Sequence, residues 1–515
     1  MNTMRKQLYI FVLLAIYILT ASASDENSRR DYGFDGSISR EVLHNYLSRS
    51  IHYLGMAVSS PEGPSPSFED DLGVVLKAGA KYISRCSYAW DVPADDDAHF
   101  QIAKERAGII HRADPEIMLQ ADIFETVYSA KAPEAGDRDF SKNGVENIKI
   151  PAFAFEEFDL EPEERTFRYE DMIYKDGLWR NRWCPGASVP DITSTETKMW
   201  VFYRAKKYID AGYESIQLGQ IQLFTAKDSD WRHMEDIINR IRRYGKEHAR
   251  RNYVLISGHV SLESPHKIVK DGKILLDFLP FPLRLKSIPA SPLHACLEMG
   301  YIDSVYDEKI TGTHPSGWQC EDLPMVLEFD NYFNSLTNPG TIFPWGTDEI
   351  TWFANQKEDY RNEFLKYAWD WLWKHDPNSY LSMPGRRVCR VPVYENENPI
   401  TVSYYCNNPS PACPGGFGQE DVIAEIWSNP NYQDNFNRLV LHLEDGETSQ
   451  GIRLGSLQED MPVERLKLLY QAYGGFTPPQ QRRKALRALR EESWKEIEKI
   501  EQSQSYQREA ELLRK

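Results

Sequence analysis

Short runs rich in β-branched and aromatic residues alternate along this chain with longer amphipathic runs of helical period. The pattern predicts strands at 52–57, 82–90, 117–124, 214–220, 252–260, about 273–280, 324–330 and 379–384. It predicts helices at about 68–79, 96–112, 194–211, 230–249, 357–374 and 419–427. In 230–249, Met234, Ile237, Ile238 and Ile241 form one apolar stripe. Gly79, Gly212 and Asp114-Pro115 supply stop signals. Strand-helix alternation demands a mostly parallel sheet, and eight units favour closure into an α/β (β/α)8 TIM-like barrel. The rival, an open doubly wound sheet, lacks support because neither GxGxxG nor a P-loop is present. The irregular stretch at about 126–193 reads as a long insertion after strand 3, inside a barrel domain spanning 24–430.

Residues 431–515 read as a C-terminal appendage, with a strand at 438–443 and a helix at 462–472. After Pro478-Pro479 comes a charged terminal helix whose Glu residues interleave with Arg and Lys. At the other end, residues 1–23 have the form of a signal peptide. Arg5 and Lys6 precede the apolar run 8–20, and Ala21-Ser22-Ala23 offers a cleavage site. The expectation is an exported protein, periplasmic or extracellular, with no membrane span after cleavage. The chain carries 60 Lys plus Arg against 77 Asp plus Glu, a net charge of -17. Losing Arg5 and Lys6 makes it -19, which disfavours nucleic acid as a partner. Of seven Cys, Cys406 and Cys413 are spaced for a bridge across a short loop, and Cys86, Cys184, Cys296 and Cys320 read as buried thiols.

In such a barrel the active site lies at the C-terminal ends of the strands. Polar residues there are Asp122 and Glu125 after strand 3, Gln217 and Gln220 on strand 4, and His259 on strand 5. Asp277 lies on strand 6, and Glu328 and Asp330 share one face of strand 7. The next loop adds Asp348 and Glu349 between Trp345 and Trp352. Paired carboxylates walled by aromatic rings suit glycoside hydrolysis, in which one acid protonates the leaving oxygen and the other attacks or activates water. The catalytic candidates are Glu328, Glu125 and Asp348. Asp122, Gln217, Gln220, His259, Asp330, Trp90, Trp345 and Glu349 are candidates for contacting a carbohydrate substrate. Trp352 and Trp183 are further stacking candidates, whereas the tryptophans of 357–374 read as core.

The strand-end sequence VLEFD and the eight-unit layout over about 50–430 resemble the (β/α)8-barrel glycoside hydrolases as a broad superfamily, with no single family indicated. The resemblance implies a glycosidase acting on a poly- or oligosaccharide, without a cofactor or metal. One departure matters. Many such enzymes carry a Glu at the end of strand 4, where this chain reads ESIQLGQ, and an amide cannot protonate a leaving group. That departure motivates a non-catalytic carbohydrate-binding barrel as an alternative. A metal-dependent hydrolase using Asp122, His259, Asp277, Glu328 and Asp330 is another, although HExxH is absent and the first strand holds only His52. The sequence does not specify an oligomeric state.

Overall fold

The computed structural model describes residues 30–60, 62–132, 140–260, 268–288, 291–301, 303–306, 308–331, 347–392 and 400–428. The expected signal peptide, Trp345 and the expected appendage lie outside them. Seven strands come first: β1 (Ser50–Tyr53), β2 (Tyr82–Ala89), β3 (Met118–Ile123), β4 (Ser215–Gln220), β5 (Leu255–His259), β6 (Leu279–Pro282) and β7 (Met325–Glu328). The eighth position is filled by two consecutive segments, β8 (Ser379–Leu381) and β9 (Met383–Val391). Every neighbouring pair is parallel. The register runs Ile51↔Ile83, Ala89↔Ile123, Asp122↔Gln217 and Gln217↔Ser257. It continues through Pro282↔Glu328 and Leu327↔Leu381. Strand β9 in turn pairs with β1 at Ile51↔Met383. Between the two last segments, the Ser382 N–H donates to Leu327 O at 2.8 Å, and Ser382 Oγ lies 2.9 Å from Ser50 Oγ.

The weakest seam is β5 to β6, joined by the single bridge Ser257↔Phe278 and the Asp277 N–H to Ile256 O bond of 2.8 Å. The sequence of β6 explains it. The Leu279 and Leu283 N–H groups donate toward β7, and the alternating Pro280 and Pro282 have no N–H to offer β5. Residues 273–274, predicted as part of this strand, belong instead to a small separate sheet.

Helices α1 (Arg40–Leu47), α2 (Phe68–Ala78), α3 (Asp96–Ala113), α4 (Thr195–Asp210), α5 (Arg232–His248), α6 (Glu349–Ala354), α7 (Glu358–His375) and α8 (Glu420–Ser428) surround the strands. Among the described residues no helix separates β5 from β6 or β6 from β7; short strand pairs stand there. Helix α1 has no counterpart in the sequence reading. Its Leu43, Tyr46 and Leu47 pack with Tyr82, Met118, Leu255, Phe278 and Val326 near the N-terminal ends of the strands, closing that end with apolar side chains. The opposite end is left to polar groups.

The insertion after β3 holds short helices at Ala152–Glu156 and Tyr169–Met172 and a two-residue strand pair. Its Phe155, Phe167, Tyr169 and Met172 join the main core with Trp200 and Tyr203 of α4. Cys406 and Cys413 are buried thiols, so the expected bridge is not formed. None of the described helices is long and apolar enough to cross a membrane.

Candidate active site

Strand β2 changes register between Ile83 and Ser87, and at that irregularity Arg85 adopts φ 52°, in the left-handed region. A β-bulge of this kind re-aims one side chain. The backbone is held by the Gly55 N–H to Arg85 O bond (2.8 Å) and the Arg85 N–H to Gln120 Oε1 bond (3.2 Å). The Arg85 guanidinium then reaches two carboxylates from different strands. Its Nη2 lies 2.6 Å from Glu328 Oε1, and its Nε lies 3.3 Å from Asp122 Oδ2.

Glu328 is buried and surrounded by nitrogen. His52 Nδ1 lies 2.5 Å from its Oε2, and His259 Nε2 and Arg387 Nη2 lie 3.4 and 3.7 Å from its Oε1. Burial alone would favour its neutral form, but the Arg85 and Arg387 guanidiniums outweigh that effect and hold it well below the usual carboxylate range. The same burial, helped by Arg387, pushes His52 down to about 3, so it faces Glu328 as a neutral imidazole. Asp330 forms a 2.6 Å pair with Arg387 Nη2, and although burial opposes it, that guanidinium keeps Asp330 below its ordinary pKa.

Asp122 behaves in the opposite way. Burial pushes it up to about 7 against the pull of Arg85, with Glu328 adding to the rise. Apart from the ion pair with Arg85, neither of its oxygens has a hydrogen-bond partner among the described residues. One guanidinium thus joins a carboxylate that stays ionised to one that holds its proton near neutrality.

The remaining candidates divide by what engages them. Glu125 leans onto the end of β4, accepting from Gln220 N–H (2.8 Å) and Gln220 Nε2 (2.9 Å). Gly219 makes room for it, since a Cβ there would lie 1.9 Å from Glu125 Oε2. Gln217 Nε2 lies 3.4 Å from His259 Nε2, bringing both toward Glu328. Asp348 caps α6, accepting from Thr351 N–H at 2.8 Å, and burial raises it to about 7. Glu349 is buried, pairs with Arg284 at 2.8 Å and is pushed up to about 8.

Two readings change. Asp277 lies before β6, where it accepts from Tyr253 Oη (2.5 Å), Ile256 N–H (2.7 Å) and Arg242 (2.8 Å), so it braces strand starts rather than the rim. Trp352 is wholly buried against Phe364 and Tyr360 and is core, not a stacking surface. Trp90, in contrast, is half-buried, with ring centroids 5.0 Å from Phe124 and 5.4 Å from Trp183. With Asp122 and Phe124, Trp90 also lines a cavity of about 20 Å³.

Sequence reasoning passed over Arg85 and Arg387, and noted His52 only as the histidine of the first strand. The signal was there: Arg85 stands mid-strand in YISRCSYA, where a strand covered on both faces offers a charge no solvent.

No family model matches the chain, and no curated relative does. Among solved structures it is similar to an Anoxybacillus α-amylase, at TM-score 0.36 and 12% identity over 76% of this chain and 80% of that one. A gamma-CGTase from alkalophilic Bacillus clarkii matches at TM-score 0.36 and 11% identity, over 79% of this chain and 58% of that one. An α-amylase of Geobacillus thermoleovorans complexed with acarbose matches at TM-score 0.27 and 12% identity. That match covers 45% of this chain and spans about half, 51%, of the amylase. At these scores the site stands on its own geometry.

Proposed function

We propose that this chain is an exported glycosidase acting on a poly- or oligosaccharide, with Asp122 as the proton donor and Glu328 as the ionised partner. The observation that supports it is Arg85, whose guanidinium lies 2.6 Å from Glu328, held well below the usual carboxylate range, and 3.3 Å from Asp122, which burial pushes up to about 7. A carboxylic acid that keeps its proton near neutrality can protonate a glycosidic oxygen, and a neighbouring carboxylate can stabilise or trap the positive charge that develops on the sugar. Asp122 also accepts no hydrogen bond among the described residues, and its one charged contact is Arg85 Nε, 3.3 Å from Oδ2. Glu125 is the runner-up for the acid, but both of its oxygens are occupied by Gln220. The metal-dependent reading is disfavoured because Glu328 and Asp330 are matched by guanidiniums, and Asp277 sits away from them. Export follows from the leader-like residues 1–23.

The test is hydrolysis of a panel of oligosaccharides and aryl glycosides. Asp122→Asn should lower turnover by roughly 10²–10⁴-fold on substrates with poor leaving groups, and far less on 2,4-dinitrophenyl glycosides, whose departure needs no proton. Glu328→Gln should abolish turnover on both. Wild-type activity should fall as pH rises through about 7, where Asp122 loses its proton. An Asp122→Asn enzyme with unchanged turnover on alkyl glycosides would refute the assignment. A barrel that binds a saccharide but cleaves none would be a binding protein instead.

A further inference from the structure

The aromatic rings at the rim form a connected series leading away from the carboxylate pair. The Arg85 guanidinium lies over Phe124 at 5.6 Å, Phe124 meets Trp90 at 5.0 Å, and Trp90 meets Trp183 at 5.4 Å. Phe124, Trp90 and Trp183 are each half-buried, so each keeps part of its surface toward solvent. Trp183 belongs to the insertion, and besides its contact with Trp90 its indole N–H donates to Glu125 O at 3.2 Å. Glu125 is in turn held by Gln220 over Gly219. At the outer end of the series stands Arg182. It is exposed, with its guanidinium 5.2 Å from the Trp183 ring and 5.7 Å from the Trp179 ring.

Arg49, Arg106, Arg361 and Arg386 also lie over aromatic rings, but each donates an N–H to a backbone carbonyl as well. Arg85, Arg165, Arg204, Arg240, Arg284 and Arg387 are all paired with carboxylates. Among the described residues no carboxylate pairs with Arg182; two indole faces hold it instead. A guanidinium pre-ordered on aromatic faces keeps its N–H groups for an external anion and suits a carboxylate or sulfate in bidentate geometry. Beside it, flat rings offer the apolar surface on which a sugar face stacks.

We propose that Trp90, Phe124, Trp183 and Arg182 form a subsite for an anionic saccharide, one bearing a carboxylate or sulfate group, with Glu125 and Gly219 as positioning residues for Trp183. The inference rests on the saccharide reading above and adds the charge class of the ligand.

The experiment is calorimetric titration of the Glu328→Gln protein, in which no turnover is expected, with an oligogalacturonate hexamer, a chondroitin sulfate hexasaccharide, and neutral xylohexaose and maltohexaose. The expected result is binding of at least one anionic oligomer about tenfold or more tighter than the neutral ones, weakening as NaCl is raised. Which anionic oligomer binds identifies the substituent. Arg182→Ala should remove that preference and the salt dependence while leaving the melting temperature unchanged, and Arg182→Lys should restore part of both. Trp183→Ala should weaken binding of every oligomer. Equal affinity for neutral and anionic oligomers, binding of none of them, or an Arg182→Ala protein with intact preference overturns the proposal. Failure of the catalytic reading looks different: the preference would persist in a wild-type protein that hydrolyses none of the four.

Discussion

Burial raises the pKa of both carboxylates beside Arg85, and Arg85 opposes that rise in each, so both respond to its removal in the same direction. Glu328 would keep Arg387 at 3.7 Å but lose its 2.6 Å partner. Removing one side of a buried ion pair costs about 3–5 kcal/mol, because the other charge is left without compensation. Arg85→Met should therefore lower stability in urea by that order. The double variant Arg85→Met/Glu328→Met should recover a large part of the loss, since no unmatched charge remains from that pair. In Arg85→Met the Asp122 carboxyl should also titrate at higher pH than in the wild type, because the guanidinium is what pulls it down. Carboxyl NMR titration reads this directly. Of the groups around Glu328, the carboxylate itself and His259 are legible from strand-end position. His52 and Arg387 lie among strand residues whose facing cannot be read without the register.

At the scale of elements, β4 shows how a missing side chain makes room for a neighbour. The strand offers no carboxylate of its own, and its Gly219, at φ 45°, leaves space into which Glu125 of the neighbouring strand end fits. Gly219→Ala brings a methyl group within 1.9 Å of a carboxylate oxygen. It also forces an L-residue into a left-handed conformation, a strain of about 1–3 kcal/mol. The variant should melt at lower temperature and show altered tryptophan emission, because Trp183 hangs from Glu125. Unaltered emission and melting would mean that the latch does not hold the insertion. Helix α6 gives a milder test. Asp348→Ala removes its N-cap acceptor and should cost about 1 kcal/mol, whereas Asp348→Asn retains an acceptor oxygen and should cost less. The sequence shows six of these helices clearly through their period, but α1 and α6 are too short for a periodic signal.

For the whole molecule, the buried acids set a stability profile with a definite slope. Asp122 and Asp348 are raised to about 7 and Glu349 to about 8, each by burial first. A carboxyl whose folded pKa lies above its unfolded value stabilises the fold most fully below the unfolded value, and that contribution is lost as pH rises through the folded one. These three therefore make the protein less stable between about pH 4 and pH 8. Glu328 and Asp330, with lowered values, act the other way and lose their contribution as pH falls below about 4. The melting temperature should be highest in mildly acid solution and decline toward pH 8, and Asp348→Asn should flatten the decline. A flat profile from pH 5 to 8 would count against these three acids being held protonated.

What the chain determined by itself was the order of eight strands, six of the helices among them, and the placing of most of the acids, though not Asp277, at one set of strand ends. Those features rest on local periodicity and parity, which neighbouring residues carry among themselves. Tertiary structure decided where helices give way to strand pairs around the proline-bearing β6, and which acids keep their protons. Arg85 and Glu328 are 243 residues apart in the chain and 2.6 Å apart in the fold. A buried carboxyl's charge depends on such distances and on exclusion of water, and neither exists until the chain has folded.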